Sequence, residues 1–276
     1  MSIAWDRPLT VGACTYGYLW DVPLPETVER IAALGFRYFE LMTTVPHCWP
    51  RAWSAAERRD FRRHYEACGL RMSSVNPTFL DLNLASPNPG IRDETVAQLR
   101  ETIELAHDIG APMMLVTAGK KHPLIAPDPE YLWDLVKRGL ERLLVDCERL
   151  DVTLGLENGW TVIDRAAQMV RMVGEVLHRK LRLVYDVANA AMVEPVLDGL
   201  ERVKAHLAMV QLSDTREARW GHDRIGTGMI DFAAVTRKVR EIGFTGPSIM
   251  EIVDRQTPDE SNRVSLERLV ALGWTV

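Results

Sequence analysis

The sequence predicts an α/β protein whose 276 residues form a single (β/α)₈ barrel, the TIM-barrel fold class. Short apolar runs alternate with segments of helical periodicity along the chain, and each kind occurs eight times. Nearly continuous apolar runs are typical of parallel strands that are covered by helices. The eightfold count, in a chain close to the usual length of about 250 residues, favours a closed barrel over an open doubly wound sheet.

The elements follow one another in a regular order. The candidate strands are residues 9–14, 36–41, 71–76, 112–118, 152–158, 181–186, 207–212 and 247–252. The candidate helices are residues 25–34, 55–68, 92–109, 128–150, 163–176, 194–203, 232–242 and 259–272. Four helices are predicted to stop at a glycine, which takes the left-handed conformation at low cost: Gly35, Gly69, Gly110 and Gly243.

No Ser/Pro-rich linker or change in composition divides the chain, so residues 1–276 are predicted to form one domain. Two connections, 76–90 after strand three and 213–228 after strand seven, are long and are predicted to be irregular. Loops of this length in a compact domain are usually functional. Both lie at the carboxyl ends of strands, the face on which such barrels carry their chemistry.

The composition excludes several classes of protein. The chain is 47% hydrophobic and 26% charged, as expected for a globular domain with a full core. Its net charge of −5 argues against a nucleic-acid surface, which needs a basic stripe. The N-terminus has no apolar h-region and no stretch approaches 18 apolar residues, so we expect neither secretion nor membrane insertion. The four cysteines have no metal-finger spacing, so we expect reduced thiols in a cytoplasmic protein.

Four consecutive strands carry a polar side chain near their carboxyl ends: Glu157, Asp186, Gln211 and Glu251. They are spaced by about one βα unit, and the last interval is widened by the 213–228 loop. One inward residue near each strand end would converge on a single point at the barrel mouth. A single carboxylate at a strand end could equally be a helix N-cap or a loop hydrogen-bond partner, but four at the same depth are difficult to explain in that way.

Three carboxylates at one partly buried point need a compensating positive charge, because like charges raise one another's pKa. A divalent cation would supply it. Carboxylate and amide oxygens form a hard ligand set that suits Mg²⁺ or Mn²⁺ better than Zn²⁺, with Co²⁺ and Zn²⁺ as alternatives. In this interpretation Gln211 is the neutral fourth ligand.

Several motifs carry a family resemblance: "LGLEN", "VYDVANA", "VQLSD", "HDRIGTGMIDF" and "IMEI". The chain resembles the xylose-isomerase-like TIM-barrel superfamily, which includes sugar-phosphate isomerases and epimerases and endonuclease IV. In this superfamily a strand-end Glu, Asp, His or Gln, and Glu bind one divalent metal, and that pattern maps onto Glu157, Asp186, Gln211 and Glu251. Many epimerases have His at the position of Gln211, whereas hydroxypyruvate isomerase-like members have Gln.

The resemblance implies an isomerase or epimerase that acts on a small ketose, sugar or hydroxy-keto acid by proton transfer through an enediolate. Glu157 and Glu251 would be the acid and base. Three further side chains, those of Asn189, His222 and Arg224, would bind substrate, Arg224 through a carboxylate or phosphate. His222 and Arg224 could instead be a solvated loop pair. Glu40, which ends strand two, is placed either in substrate contact or in a structural hydrogen bond.

Two departures separate the chain from endonuclease IV. Asn189 stands where endonuclease IV, and also many ketose epimerases, have His. Endonuclease IV needs extra His ligands for a trinuclear zinc cluster; of these, only His222 has an obvious counterpart, and Trp220 stands where a further acid would be. We therefore expect no DNA-repair activity. A small sugar or polyol-derived molecule is the expected substrate, and a homodimer is the expected assembly.

Two other functions remain open from the sequence. A dehydratase of 3-dehydroshikimate or inosose type would use the same metal, together with a proton donor chosen from His47, His122 and His222. A metal-free barrel acting as a partner subunit would bind no divalent ion at all. The turn from Lys120 to His122 could bring positive charge to the mouth or be a solvated basic turn. Side chains after strands one to three would select the substrate: Tyr16, Asn76 and Phe79.

Overall fold

The computed structural model describes residues 9–77, 81–159 and 162–276. Its strands, numbered in chain order, are β1 (Val11–Cys14), β2 (Tyr38–Met42), β3 (Arg71–Asn76), β4 (Met113–Val116), β5 (Thr153–Glu157), β6 (Leu181–Asp186), β7 (Leu207–Leu212), β8 (Asp214–Arg216), β9 (Arg219–Asp223) and β10 (Ser248–Met250). Eight of them form a closed parallel barrel in the order β1-β10-β7-β6-β5-β4-β3-β2. The predicted barrel is confirmed.

Helices cover the outside of the barrel. They are α1 (Leu24–Ala33), α2 (Ala55–Ala67), α3 (Pro89–Ile109), α4 (Pro129–Leu150), α5 (Ala166–Val176), α6 (Val187–Ala191), α7 (Val196–Val203), α8 (Phe232–Glu241) and α9 (Pro258–Ala271). Each of the eight predicted helices has a counterpart, and α6 is an additional short one directly after β6. The four glycines predicted to end helices all have positive φ values, between 67° and 93°.

The prediction of an irregular connection over residues 213–228 is wrong in part. Strands β8 and β9 pair there as an antiparallel hairpin outside the barrel. Its residues from Arg216 to Trp220 are exposed, so the segment lacks the apolar periodicity by which the barrel strands are recognised. In the other long connection, the part from residue 81 to the start of α3 is irregular, as predicted.

The buried carboxylate of Asp214 holds together the 213–228 connection and the start of the segment that leads to α8. Both oxygens of Asp214 accept backbone N–H groups, from Thr215 at 2.9 Å and Ile230 at 3.2 Å on Oδ1, and from Gly226 at 2.9 Å and Gly228 at 2.8 Å on Oδ2. A Cβ at Gly228 would lie 2.1 Å from the carbonyl oxygen of Thr215. Gly226, with a positive φ of 77°, and Gly228 therefore let this segment fold back before α8.

The barrel strands are buried almost throughout, which explains their apolar sequences. Close contact between strands leaves no room for a side chain at Gly12, where a Cβ would lie 2.5 Å from the backbone oxygen of Tyr38. The four cysteines form no disulfide. Among the described residues, every helix is too short or too polar to cross a lipid bilayer.

Candidate metal centre

The four predicted ligands meet at the carboxyl ends of neighbouring strands. Glu157 and Asp186 are the last residues of β5 and β6, Gln211 is the penultimate residue of β7, and Glu251 directly follows β10. Asp186 and Gln211 are paired in register across β6 and β7. Each of the four is at most 4% exposed. The strand order therefore places all four at one buried level of the barrel mouth.

Three of the four residues direct an unsatisfied oxygen into this space. Glu157 Oε2, Asp186 Oδ2 and Gln211 Oε1 are buried, and none has a hydrogen-bond partner among the described residues. An unpaired buried acceptor costs about 1–3 kcal/mol, so three of them together indicate a missing partner. Asp186 and Glu251, with His222, also present ligand atoms within 4.8 Å of one another. These residues fit a divalent cation bound by hard oxygen ligands.

The electrostatics support the same conclusion. Burial raises the pKa of Glu157 and Glu251 far above the ordinary value, and the negative charge of Asp186 raises both further. Burial also raises the pKa of Asp186, while the nearby imidazole of His222 opposes this shift. Carboxyl groups that repel one another in this way gain stability from a positive ion between them.

Hydrogen bonds fix the directions of the two strand-end acids. Asp186 caps α6, because its Oδ1 accepts the N–H of Asn189 at 2.7 Å and so leaves Oδ2 free to face the mouth. The Nδ2 of Asn189 donates to Glu157 Oε1 at 3.2 Å and leaves Oε2 as the unsatisfied oxygen. Asn158 ties β5 to β6 by bonding both the N–H and the C=O of Asp186. The substrate contact of Asn189 stays a prediction.

The β8–β9 hairpin brings His222 to the candidate metal centre. Its Nδ1 lies 2.9 Å from Ser213 Oγ, 3.3 Å from Glu251 Oε2 and 3.7 Å from Asp186 Oδ2. Burial lowers the pKa of His222. The ring of Trp220 packs against it edge to face, with centroids 5.3 Å apart. His222 thus lies beside two of the predicted ligands, on a hairpin that the sequence does not reveal. Its contact with substrate stays a prediction.

Glu40 reaches the same region from β2 and is fully buried. Its Oε2 accepts Ser74 Oγ at 2.6 Å, and its Oε1 accepts Asn76 Nδ2 and Gln211 Nε2, both at 3.1 Å. Asn76 also donates to Glu251 Oε1 at 3.4 Å. The sequence predicts Gln211 as a metal ligand and Asn76 as a residue that selects substrate. It predicts neither their bonds to Glu40 nor the part that Ser74 takes, since a bond across a barrel leaves no periodic signal in the sequence.

Other candidates lie elsewhere or are already engaged. The guanidinium of Arg224 binds Asp254 and Glu260, so its predicted contact with substrate gains no support and stays a prediction. His47 bonds the carbonyl of Val22, and His122 accepts two backbone N–H groups in an exposed turn.

Tyr16 does lie near the mouth. Burial and the negative charges of Glu251, Cys14 and Glu157 raise the pKa of Tyr16 to about 12. Phe79 is outside the described residues.

Comparison with known proteins places the geometry in context. Residues 28–272 match the family model described as xylose isomerase-like TIM barrel. A probable endonuclease 4 of Mycobacterium tuberculosis is 28% identical over 225 residues, which cover 76% of this chain and 84% of the relative.

Two solved structures share the fold. A D-tagatose 3-epimerase-like protein is 21% identical with a TM-score of 0.83, over 95% of this chain and 97% of the other. The apo form of 3-keto-D-glucoside 4-epimerase, YcjR, from E. coli is 17% identical with a TM-score of 0.81, over 95% and 99% of the two chains. At these identities the likeness establishes the common architecture.

Proposed function

On the premise that this chain belongs to the xylose isomerase-like TIM-barrel family, we propose that it is a divalent-metal-dependent isomerase or epimerase of a small ketose or related sugar. The observation that carries the proposal is the set of buried, unsatisfied oxygens on Glu157, Asp186 and Gln211, three residues at the carboxyl ends of neighbouring strands. Of the two solved structures that share the fold, one is called 3-keto-D-glucoside 4-epimerase and the other a D-tagatose 3-epimerase-like protein, and these names support the same class of reaction.

Glu157, Asp186, Gln211 and Glu251 would hold the ion, with Mn²⁺ or Mg²⁺ preferred for an all-oxygen site. When bound, such an ion polarises a substrate carbonyl and stabilises negative charge on the adjacent oxygens. Gln211 contributes an uncharged oxygen, so the set keeps three negative charges rather than four. Glu40 adds a fourth carboxylate behind this set.

The chain's own residues would move the proton. Glu157 and Glu251 are carboxylates buried in the barrel mouth, and a carboxylate within hydrogen-bond reach of the carbon-bound proton can act as general base or acid. Asn189 orients Glu157, and His222 lies beside Oε2 of Glu251. One glutamate would take the proton from the carbon next to the carbonyl, giving an enediolate, and the other would return a proton to the opposite face or to the neighbouring carbon.

The charge of the site favours an uncharged substrate. Four buried carboxylates surround the mouth, and Arg224, the predicted receptor for a carboxylate or phosphate, is paired with Asp254 and Glu260. The hydroxyl groups of a sugar can donate to carboxylate and amide oxygens, whereas the carboxylates would repel an anionic substrate. We therefore favour a ketose over a hydroxy-keto acid.

One contact argues against the trinuclear metal cluster that endonuclease IV uses. Trp220 Nε1 donates to Asn189 Oδ1 at 2.8 Å. The two positions at which this chain departs from that enzyme thus bind each other rather than offering metal ligands. The absence of DNA-repair activity stays a prediction, as do the homodimer and the cytoplasmic location.

The test is an NMR assay in D₂O. Metal-stripped protein, with Mn²⁺ or Mg²⁺ added back, is incubated with a panel of small ketoses, hydroxypyruvate, inososes and 3-dehydroshikimate. We expect metal-dependent deuterium uptake or isomerisation of a ketose. Glu157→Gln should abolish this activity, whereas Glu175→Gln, the same change on the outer helix α5, should preserve it.

Other outcomes have distinct meanings. Loss of water to an unsaturated or aromatic product would assign the chain to the dehydratases. No metal binding and no reaction across the panel would overturn the proposal and favour a non-catalytic barrel.

A further inference from the structure

Glu40 forms a hydrogen bond across the barrel that links two strands without a shared edge. β2 and β7 are separated by β1 and β10 in the barrel order, yet Glu40 Oε1 accepts Gln211 Nε2 at 3.1 Å. Glu40 is fully buried and accepts two further donors, from Ser74 and Asn76. The carboxylate is therefore held in one orientation inside the barrel.

An ionised carboxylate accepts hydrogen bonds but cannot donate them. An amide that faces it must therefore present its NH₂ group, and its carbonyl oxygen must point away. Gln211 does so: Nε2 faces Glu40, and Oε1 is the buried acceptor without a partner among the described residues. Asn76 follows the same rule, since its Nδ2 faces Glu40 and Glu251 while its Oδ1 is also left without a partner.

We propose that Glu40 is a positioning residue that fixes the amide of Gln211 with its oxygen toward the metal centre. Without Glu40, the amide could rotate by half a turn and present a donor, which repels a cation. This role is comparable to that of the carboxylates that orient ligand histidines in other metal sites, where loss of the outer partner typically costs roughly 10- to 100-fold in metal affinity. The inference rests on the proposed metal site. It gives a role to Glu40, which is not one of the four proposed ligands and whose two oxygens already accept hydrogen bonds.

The experiment measures Mn²⁺ binding to metal-stripped protein by calorimetry, with no substrate present. Glu40→Gln keeps the shape of the side chain, but the new amide can donate as well as accept a hydrogen bond. The amide of Gln211 is then no longer held in one orientation, so we expect the dissociation constant for Mn²⁺ to rise roughly 10- to 100-fold. The matched control, Glu175→Gln, should bind Mn²⁺ as the wild type does.

A second variant separates orientation from folding and from charge. In Gln211→Glu both side-chain oxygens are equivalent, so either rotation of the group presents an oxygen and not an NH₂ group to the metal ion. The double variant Glu40→Gln/Gln211→Glu also keeps the wild-type number of carboxylates. We expect it to bind Mn²⁺ within about threefold of the wild type, so that Glu40→Gln carries a penalty only when residue 211 is an amide.

The outcomes are distinguishable. If the wild type binds Mn²⁺ and folded Glu40→Gln binds equally well, the positioning role is overturned while the metal site stands. If both Glu40→Gln and the double variant lose affinity to the same extent, Glu40 acts on the site in another way and the inference fails. If the wild type itself does not bind, both proposals fail.

Discussion

The Nδ1 atom of His222 lies 3.3 Å from Oε2 of Glu251. His222 belongs to the β8–β9 hairpin, and Glu251 directly follows the barrel strand β10. The hairpin therefore supplies a side chain to the centre of the barrel mouth. The hairpin is therefore part of the candidate site.

His222→Phe should lower kcat by roughly 10- to 100-fold, because it removes the polar atom beside a buried carboxylate, where such an interaction is worth about 1.5–3 kcal/mol. Steady-state kinetics with the substrate found by NMR would measure this. His107→Phe, the same change on the outer helix α3, should leave kcat unchanged. An unaltered kcat in His222→Phe would exclude His222 from the reaction.

Gln211→Leu should reduce Mn²⁺ affinity at least tenfold while preserving the fold. The change removes the unsatisfied Oε1 and one of the donors to Glu40. Calorimetry would report the affinity, and circular dichroism the fold. Gln98→Leu, on α3, breaks an exposed bond to Glu94 that involves none of the proposed ligands, and serves as the control. Unchanged affinity in Gln211→Leu would show that Gln211 is not a ligand.

Metal binding should stabilise the folded protein. A ligand present at 100 times its Kd contributes about 2.7 kcal/mol, which corresponds to roughly 5–10 °C in Tm for a chain of this size. Thermal unfolding with EDTA and with added Mn²⁺ would show the difference. Glu157→Gln, which removes a proposed ligand, should reduce the gain. A Tm that is independent of Mn²⁺ in the wild type would contradict the metal centre.

Asp254 should make stability depend on pH below about 4. Partial burial alone would raise the pKa of Asp254, but hydrogen bonds from Ser261, Thr257 and Gln256 lower it to about 2. Arg224 adds an ion pair at 3.2 Å. Because the folded pKa is depressed below the unfolded value of about 3.9, the stabilisation is present above pH 4 and is lost as the pH falls toward 2.

Asp254→Asn should therefore cost about 2 kcal/mol at pH 7 and flatten the pH dependence between pH 4 and 2. Urea unfolding across this range would measure both effects. Asp60→Asn, which changes an exposed carboxylate on α2, should behave as the wild type does. A parallel decline in stability for Asp254→Asn and the wild type would rule out this assignment.

Gly12→Ala should destabilise the barrel by about 3 kcal/mol, because the new Cβ would meet backbone atoms of Tyr38 at 2.5 and 2.8 Å. Gly174→Ala, on α5, meets no atom within 4 Å and should instead stabilise the protein by about 0.5–1 kcal/mol. Chemical denaturation would measure the two free energies of unfolding. Similar effects for both variants would contradict the close packing at Gly12.

The barrel was predictable because its signals are local. Each strand is an apolar run, and glycines such as Gly35 and Gly110 mark the ends of helices. The four proposed ligands were predictable for a related reason, since strand ends on one face of a barrel converge. The β8–β9 hairpin was not predictable in this way, because its exposed residues from Arg216 to Trp220 lack an apolar periodicity.

The orienting residues were beyond such reasoning. Ser213 faces His222 across the base of the hairpin, and Asn158 holds Asp186 from the next strand. A serine or an asparagine beside a strand has many ordinary roles, and only the three-dimensional register selects one of them. Arg224 illustrates the converse, because its position in a promising motif says nothing of its actual partners Asp254 and Glu260.

The carboxylate of Asp214 has a further consequence for how this barrel can diversify. Asp214 accepts four backbone N–H groups, and a shift of residues 226–230 would break three of these bonds and leave a buried carboxylate unsatisfied. The base of the hairpin is therefore costly to move. The exposed turn at Glu217 and Ala218 carries no such constraint. An insertion at that turn would lengthen the hairpin that carries His222 and leave the base of the hairpin unchanged. The turn is therefore the position at which a change in substrate specificity would disturb the candidate site least.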